Sequence, residues 1–228
     1  MKTSRLLTLL IIPNVLVFLA ACTAVETSRT LTPQTVESHD SVPAGEKVNL
    51  VVSQFHNRSN YLQGVFSSGI DYLGNQSKTI LETHLQQSNR FNVLDRDNLQ
   101  QISKEAELSG AKQKLTGARY AITGDVTEYG RKNIGDQQFF GILGKGRKQI
   151  AYAKVQIQIV DVESSSIVYT TQGAGEYELS NREVVGFGST ASYDSTLNGK
   201  VLNLAITEAV NSLVKDLDSG EWQAESNH

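Results

Sequence analysis

The 228-residue chain has one cysteine, Cys22. Without a second thiol it forms no internal disulfide, so pairing is silent on the redox compartment and the thiol needs another role. A long apolar run is also lacking near the start. Lys2 and Arg5 precede Leu6 to Leu19, which Pro13 interrupts. About 14 apolar residues fall short of the roughly 20 that a helix needs to cross a hydrocarbon core. Ala20 and Ala21 supply the small residues of a cleavage site, so residues 1–21 read as a signal peptide that exports the chain and does not anchor it.

An excess of positive charge is missing too. Lysine and arginine number 21 against 24 aspartates and glutamates, a net charge of −3. Removing residues 1–21 takes away two bases and no acid, leaving −5 and disfavouring nucleic acid as a partner. Phosphate-binding motifs fail on inspection. "GILGKGRK" places Arg147 and Lys148 where a phosphate loop needs Lys and then Ser or Thr, and no helix pattern begins there. "GFGSTA", Gly186 to Ala191, does not open a helix as a dinucleotide fingerprint must, and reads as a turn or bulge. His39, His56, His84 and His228 lie far apart with no metal-ligand neighbour at helical spacing. No serine or carboxylate stands in a nucleophile elbow or acid/base pair. The expectation is a protein that is not an enzyme, with no cofactor, no metal and no catalytic residue.

What the chain does contain is order after a polar start. "TAVETSRTLTPQTVESHDSVPAGEK" is threonine-rich and carries Pro33 and Pro43, so residues 22–47 read as a flexible tether beginning at Cys22. "VNLVVSQF" is β-branched and short, a buried first strand. The loop at 56–75 is too long for a simple connection, which marks it as functional. Gln76 to Gln87 sets Ile80, Leu81, His84 and Leu85 on one helical stripe, and "FNVLD" reads as a second strand. Asp97 with Gln100 has capping-box spacing ahead of Leu99, Ile102 and Ala106. From Arg119 the period becomes two: Tyr120, Ile122 and Val126 share one side, as do Val155, Ile157 and Ile159. Val201 to Leu217 is a broad amphipathic helix. The order predicts an α/β or α+β domain over residues 48–222, built on a single sheet covered by helices, with a disordered tail at 223–228.

Two inserts prolong the strands, at 129–151 and 172–200. Each has room for two arms of about ten residues and a turn, the length of a tilted membrane-spanning strand, although each could equally be an extended soluble hairpin. Phe139, Phe140, Ile142 and Leu143 form an apolar tip on the first, an unusual choice for a solvated turn. From Glu128 to Ile150 five bases stand against two acids, net +3, and from Gln172 to Asn198 one base stands against four acids, net −3. Arg147 and Lys148 on the first, with Glu176 and Glu178 on the second, are the candidate pairing charges between neighbouring hairpins.

"LAAC" resembles the bacterial lipobox, in which cleavage before the cysteine leaves Cys22 lipidated; Thr23 after it implies the outer membrane. "LGNQSKTILETHLQQSNRFNVLDRDNLQQISKE", "RYAITGDVTEY", "AYAKVQIQIVDVESSSIVYTTQGAGEYEL" and "GFGSTASYDSTLNGKVLNLAI" together resemble the CsgG/HfaB family over nearly all of Val48 to Trp222. That resemblance implies an outer-membrane lipoprotein whose main domain lies in the periplasm. It also implies a homo-oligomeric ring in which two β-hairpins per subunit close a transmembrane β-barrel. Through it would pass an unfolded amyloid or adhesin substrate, with accessory secretion proteins and without nucleotide. By the same resemblance Tyr72 and Asn75 of "DYLGNQS" take the place of pore-constriction residues, without the adjacent aromatic of the curli channels. The competing expectation is a pore-less periplasmic lipoprotein that binds and regulates an envelope partner, in the manner of cell-wall synthase activators.

Overall fold

A computed structural model describes residues 34–43, 45–61, 69–137, 145–183 and 197–225. Among these, the elements run β1 (Val48–Asn57), α1 (Tyr72–Gln87), β2 (Phe91–Val93), α2 (Leu99–Leu108), β3 (Tyr120–Gln137), β4 (Lys145–Asp161), β5 (Ile167–Glu183) and α3 (Leu197–Ser219). The strands form one mixed α/β sheet in the order β2-β1-β3-β4-β5. β1 pairs in parallel with β2 and β3, while β3, β4 and β5 form an antiparallel meander.

The period of two explains which face is covered. Leu50, Val52, Tyr120, Ile122, Val126, Val155, Ile157 and Ile159 are all buried beneath α1 and α3. Their neighbours in sequence, Thr123, Gln156 and Gln158 among them, face the other way and are partly exposed. The expected covering of the sheet by helices therefore holds for one face only, because the alternate positions are too polar to bury a second layer. Leu81 and Leu85 of α1 and Leu202, Ile206 and Leu213 of α3 fill the space between helices and sheet. Each such side chain contributes about 1.5–3 kcal/mol by leaving water.

α3 approaches β5 closely because two glycines allow it. A Cβ on Gly173 would stand 2.0 Å from the Ala205 carbonyl oxygen, and one on Gly175 2.6 Å from Leu204 Cβ. Where α1 meets α3, the buried His84 Nε2 lies 2.8 Å from Asn203 Oδ1 and 3.1 Å from Thr207 Oγ1.

Four boundaries differ from the sequence expectation. α1 begins at Tyr72 rather than Gln76, because the Asp71 carboxylate accepts a hydrogen bond from Gly74 N at 2.7 Å and caps the helix. α2 has Asn98 at its N-cap with no side-chain cap bond; Asp97 is drawn instead to Lys78 of α1, and Asp95 accepts from Asn98 N at 3.0 Å. The tether expected to reach Lys47 ends earlier: Val36 is buried, and Glu37 N donates to Asn211 Oδ1 of α3 at 3.1 Å. The tail expected at 223–228 is docked as far as Glu225, whose N–H donates to the Tyr120 hydroxyl at 2.9 Å. Val36 enters the core from the polar tether, and in the tail Ala224 packs against the core next to the buried Trp222.

Candidate functional site

The first site lies where the long strands leave the helix-covered core. The Asp71 carboxylate, besides capping α1, accepts from Asn57 N at the end of β1, 2.7 Å away, so one side chain locks strand and helix together. Gly74 is required there because a Cβ would lie 2.2 Å from the Phe55 carbonyl oxygen. That lock presents Tyr72 and Asn75, three residues apart and hence on one helix face, outward. Tyr72 is 62 % exposed and Asn75 is also exposed, so Tyr72 does not pack at the helix mouth. The structure thus brings the two candidate constriction residues together, on the first turn of a helix and not on the loop. Residues 62–68 of that loop lie outside the described residues, as do Cys22 and the tip residues Phe139, Phe140, Ile142 and Leu143.

Where α3 begins, a polar belt closes the core. Arg131 Nε and Nη2 donate to Asn198 Oδ1 at 3.1 and 2.5 Å, and the Tyr129 hydroxyl bonds the same oxygen. The Tyr61 ring meets that of Tyr129 at a centroid distance of 4.5 Å. Beyond this belt β3 and β4 continue as a paired ribbon to Gln137 opposite Lys145, and β5 follows β4 to Glu183. The inserts are therefore continuations of the domain's own strands. Arg147 and Lys148 stand opposite Asn181 and Ser180, while Glu176 and Glu178 stand opposite Tyr152 and Ile150. Lys148 and Glu178 are thus diagonal neighbours on adjacent strands, and the basic and acidic inserts adjoin inside one subunit.

The opposite end of the sheet holds a cluster that sequence reading missed. Arg119 meets three carboxylates, Asp161 at 2.7 Å, Glu163 at 2.6 Å and Glu225 at 2.8 Å. Asp161 shapes the turn between β4 and β5: its Oδ1 accepts from Ser164 N at 2.7 Å, Ser164 Oγ at 2.9 Å and Glu163 N at 3.0 Å. Those bonds, the Ser164 backbone N–H foremost, hold its carboxyl below the usual carboxylate range, with Arg119 adding to them. Trp222 packs between Tyr120 and Tyr169 at centroid distances of 5.6 and 5.5 Å. Burial, together with donation to Asp216 Oδ2 at 2.6 Å, pushes the Tyr169 hydroxyl up to about 12. Nearby, the buried Arg90 forks onto Asp218 at 2.7 and 2.9 Å and donates to Ser41 Oγ at 3.1 Å. The one available signal was Trp222, the sole tryptophan, in an otherwise polar end.

None of these arrangements joins a nucleophile to a base. They serve instead to fix an α/β domain whose three antiparallel strands project past its core as a ribbon. The chain belongs to the family of the curli production assembly/transport component CsgG, whose family model matches residues 32–227. A Neisseria meningitidis serogroup B protein with a provisional lipoprotein name is 57 % identical over 207 residues, covering 91 % of this chain and 92 % of that one. Among solved structures, a PelC dodecamer from Paraburkholderia phytofirmans is 14 % identical, with a TM-score of 0.33, over 75 % of this chain and 91 % of its own. Lipoprotein GNA1162 from Neisseria meningitidis is 12 % identical, with a TM-score of 0.36, over 75 % and 99 %. The LpoB C-terminal domain from Salmonella enterica is 17 % identical, with a TM-score of 0.31, over 59 % and 85 %. At such scores neither the assembly nor the role of those proteins carries over.

Proposed function

We propose that the protein is an outer-membrane lipoprotein, anchored through Cys22, and a subunit of a ring-shaped channel or assembly platform for curli-like or adhesive extracellular polymers, working without nucleotide hydrolysis. The supporting observation is the ribbon beyond the Arg131–Asn198 belt. Among the described residues no strand pairs with β3 past Val126 on the β1 side, and none pairs with the outer edge of β5. Two open edges on opposite sides of one ribbon suit side-by-side joining of copies into a closed wall, since closure alone abolishes sheet edges. Arg131 is held by α3, so its charge belongs to the domain and not to the bilayer. Tyr72 and Asn75, exposed on the first turn of α1, are the residues that would line its conduit.

A second reading rests on the ribbon's own charges. Lys132, Asp136, Lys145, Arg147 and Lys148 lie on its paired arms, and a lysine or arginine facing lipid at the bilayer midplane costs roughly 2–4 kcal/mol. In that reading the arms stay in the periplasm, and the protein binds and regulates an envelope partner.

Electron microscopy and single-channel recording of the lipidated protein in detergent separate the two. The channel reading expects rings with a central opening, a conductance that rises in Tyr72→Ala, and loss of membrane fractionation in Cys22→Ser. Uniform monomers with no conductance would overturn it and leave the pore-less reading.

A further inference from the structure

The turn that follows β1 is fastened more firmly than a change of direction requires. Asn57 donates its backbone N–H to Asp71 Oδ2 at 2.7 Å and its Nδ2 to the Tyr61 carbonyl oxygen at 2.8 Å. Its Oδ1 accepts from Ser59 N at 3.0 Å and from Ser59 Oγ at 2.6 Å. Ser59, only 4 % exposed, accepts in turn from Tyr61 N at 3.3 Å. Arg58 N donates to the Val126 carbonyl oxygen at 2.9 Å, so the turn is also tied to β3. Polar side chains that bond nearby backbone fix loops in this manner.

Both ends of the turn meet parts of the molecule that the channel reading uses. At one end Asp71 caps α1, whose first turn carries the exposed Tyr72 and Asn75. At the other the Tyr61 ring packs on that of Tyr129, and the Tyr129 hydroxyl donates to Asn198 Oδ1, which also accepts from Arg131. Tyr129 and Arg131 lie on β3 just past Val126, where pairing with β1 ends and the ribbon begins. The first turn of α1 reaches the start of α3 a second way: a Cβ on Gly199 would stand 3.0 Å from Gln76 Nε2. A chain of direct contacts therefore runs from Asp71 through Asn57, Tyr61, Tyr129 and Asn198 to Arg131.

We infer that Asn57 is a positioning residue, which with Asp71 holds the turn of Tyr72 and Asn75 in register with the root of the ribbon. The inference rests on the channel reading above and adds what sets the aperture, a strap between α1 and β3 behind the lining side chains. Groups that must stand at a fixed distance across an opening need such a supporting shell. Asparagine suits the place because its short side chain offers a donor and an acceptor at once, which a carboxylate does not.

Two nearly isosteric substitutions cut the strap at different points. Asparagine caps helices about as well as aspartate, but in Asp71→Asn an amide nitrogen replaces one acceptor oxygen, so Gly74 N keeps its cap and Asn57 N loses its partner. Asn57→Asp retains the backbone bond to Asp71 and loses the donor to the Tyr61 carbonyl. The two change the local charge in opposite directions. Single-channel recording of the full lipidated protein in planar bilayers should show the same change in both: the single conductance level of the parent gives way to higher and less uniform levels. Neither should alter conductance further in a Tyr72→Ala background, the non-additivity of residues that act through one another. Shifts of opposite sign would assign the effect to charge, a shift that persists undiminished beside Tyr72→Ala would make it independent of Tyr72, and unaltered conductance would mean that the strap sets nothing. Each of these overturns the inference.

Amide hydrogen exchange on the same proteins needs no channel. The amide of residue 57 should be protected in the parent and in Asn57→Asp and lose protection in Asp71→Asn, while the Leu81 amide inside α1 stays protected and verifies the fold. Rapid exchange at Asn57 in the parent overturns the strap and leaves the channel reading standing. A parent that carries no current overturns the channel reading, and the conduit role of Asn57 with it.

Discussion

α1 and α2 show how little an amphipathic stripe says about its partner. In α1 the residues Leu73, Ser77, Leu81, His84 and Leu85 meet β1 and α3, and every one is buried. In α2 a stripe of similar spacing buries nothing. Their anchoring differs accordingly. Asp71 ties the start of α1 to the end of β1, whereas α2 starts at Asn98 with no side-chain cap bond. α1 passes to β2, a parallel neighbour of β1, through residues 88–90 alone, and that short exit holds it on the sheet. α2 is joined to β3 by residues 109–119 and has slack to stand away from the domain. Its stripe is left only partly covered.

The largest expected effect tests this contrast directly. Leu81→Ala, at a fully buried position, should cost roughly 2–5 kcal/mol in chemical denaturation, through lost burial and the cavity left behind. Gly173→Val comes next. Its Cβ would press on the Ala205 carbonyl oxygen at 2.0 Å and Ala209 N at 2.6 Å, so overpacking should cost roughly 1–3 kcal/mol, seen as a lower melting temperature. A Gly173→Val protein as stable as the parent would mean that α3 is not seated on β5 as described.

A pH titration sharpens the difference between the docked tail and the unburied helix. The Tyr169 hydroxyl is raised from its ordinary value of 10 to about 12, so its contribution is complete below pH 10 and is lost as the pH rises through about 12. Trp222, packed on the Tyr169 ring, should report that loss as a change in fluorescence, and Tyr169→Phe should remove this alkaline component. The Asp161 carboxyl is lowered instead, so its contribution is present above about pH 3.9 and is lost as the pH falls below it. The smallest effect belongs to α2. Ile102→Ala should change stability by only about 0.5 kcal/mol, since Ile102 keeps 43 % of its surface exposed. A loss as large as that of Leu81→Ala would show α2 packed within the domain and end the comparison.

The strands and the long C-terminal helix were legible in sequence because burial repeats with their own geometry. Tyr120, Ile122 and Val126 alternate on β3, and Leu202, Ile206, Ala209 and Leu213 recur along α3, each set facing the same core. The proximity of Tyr72 to Asn75 also followed once the chain there was helical. The Asp71 cap could have been found from an aspartate just before the helix, but the capping box at Asp97 and Gln100 looked better in sequence and is not used. Charge patterning marked the two inserts as opposite in sign, and the register of β4 with β5 sets them side by side within a subunit.

Sequence by itself determined the residues that must be hidden from water, since local periodicity and composition decide that without reference to distant segments. Tertiary structure alone decided where each hidden face found its cover. Val36 enters the core from a polar stretch, Trp222 closes over Tyr120 and Tyr169, and Arg119 gathers Asp161, Glu163 and Glu225 from segments up to 106 positions away. Such contacts depend on which elements the sheet order brings together, and no local pattern encodes that order. The same physics leaves α2 bare, because an apolar stripe specifies that cover is needed and not which surface provides it.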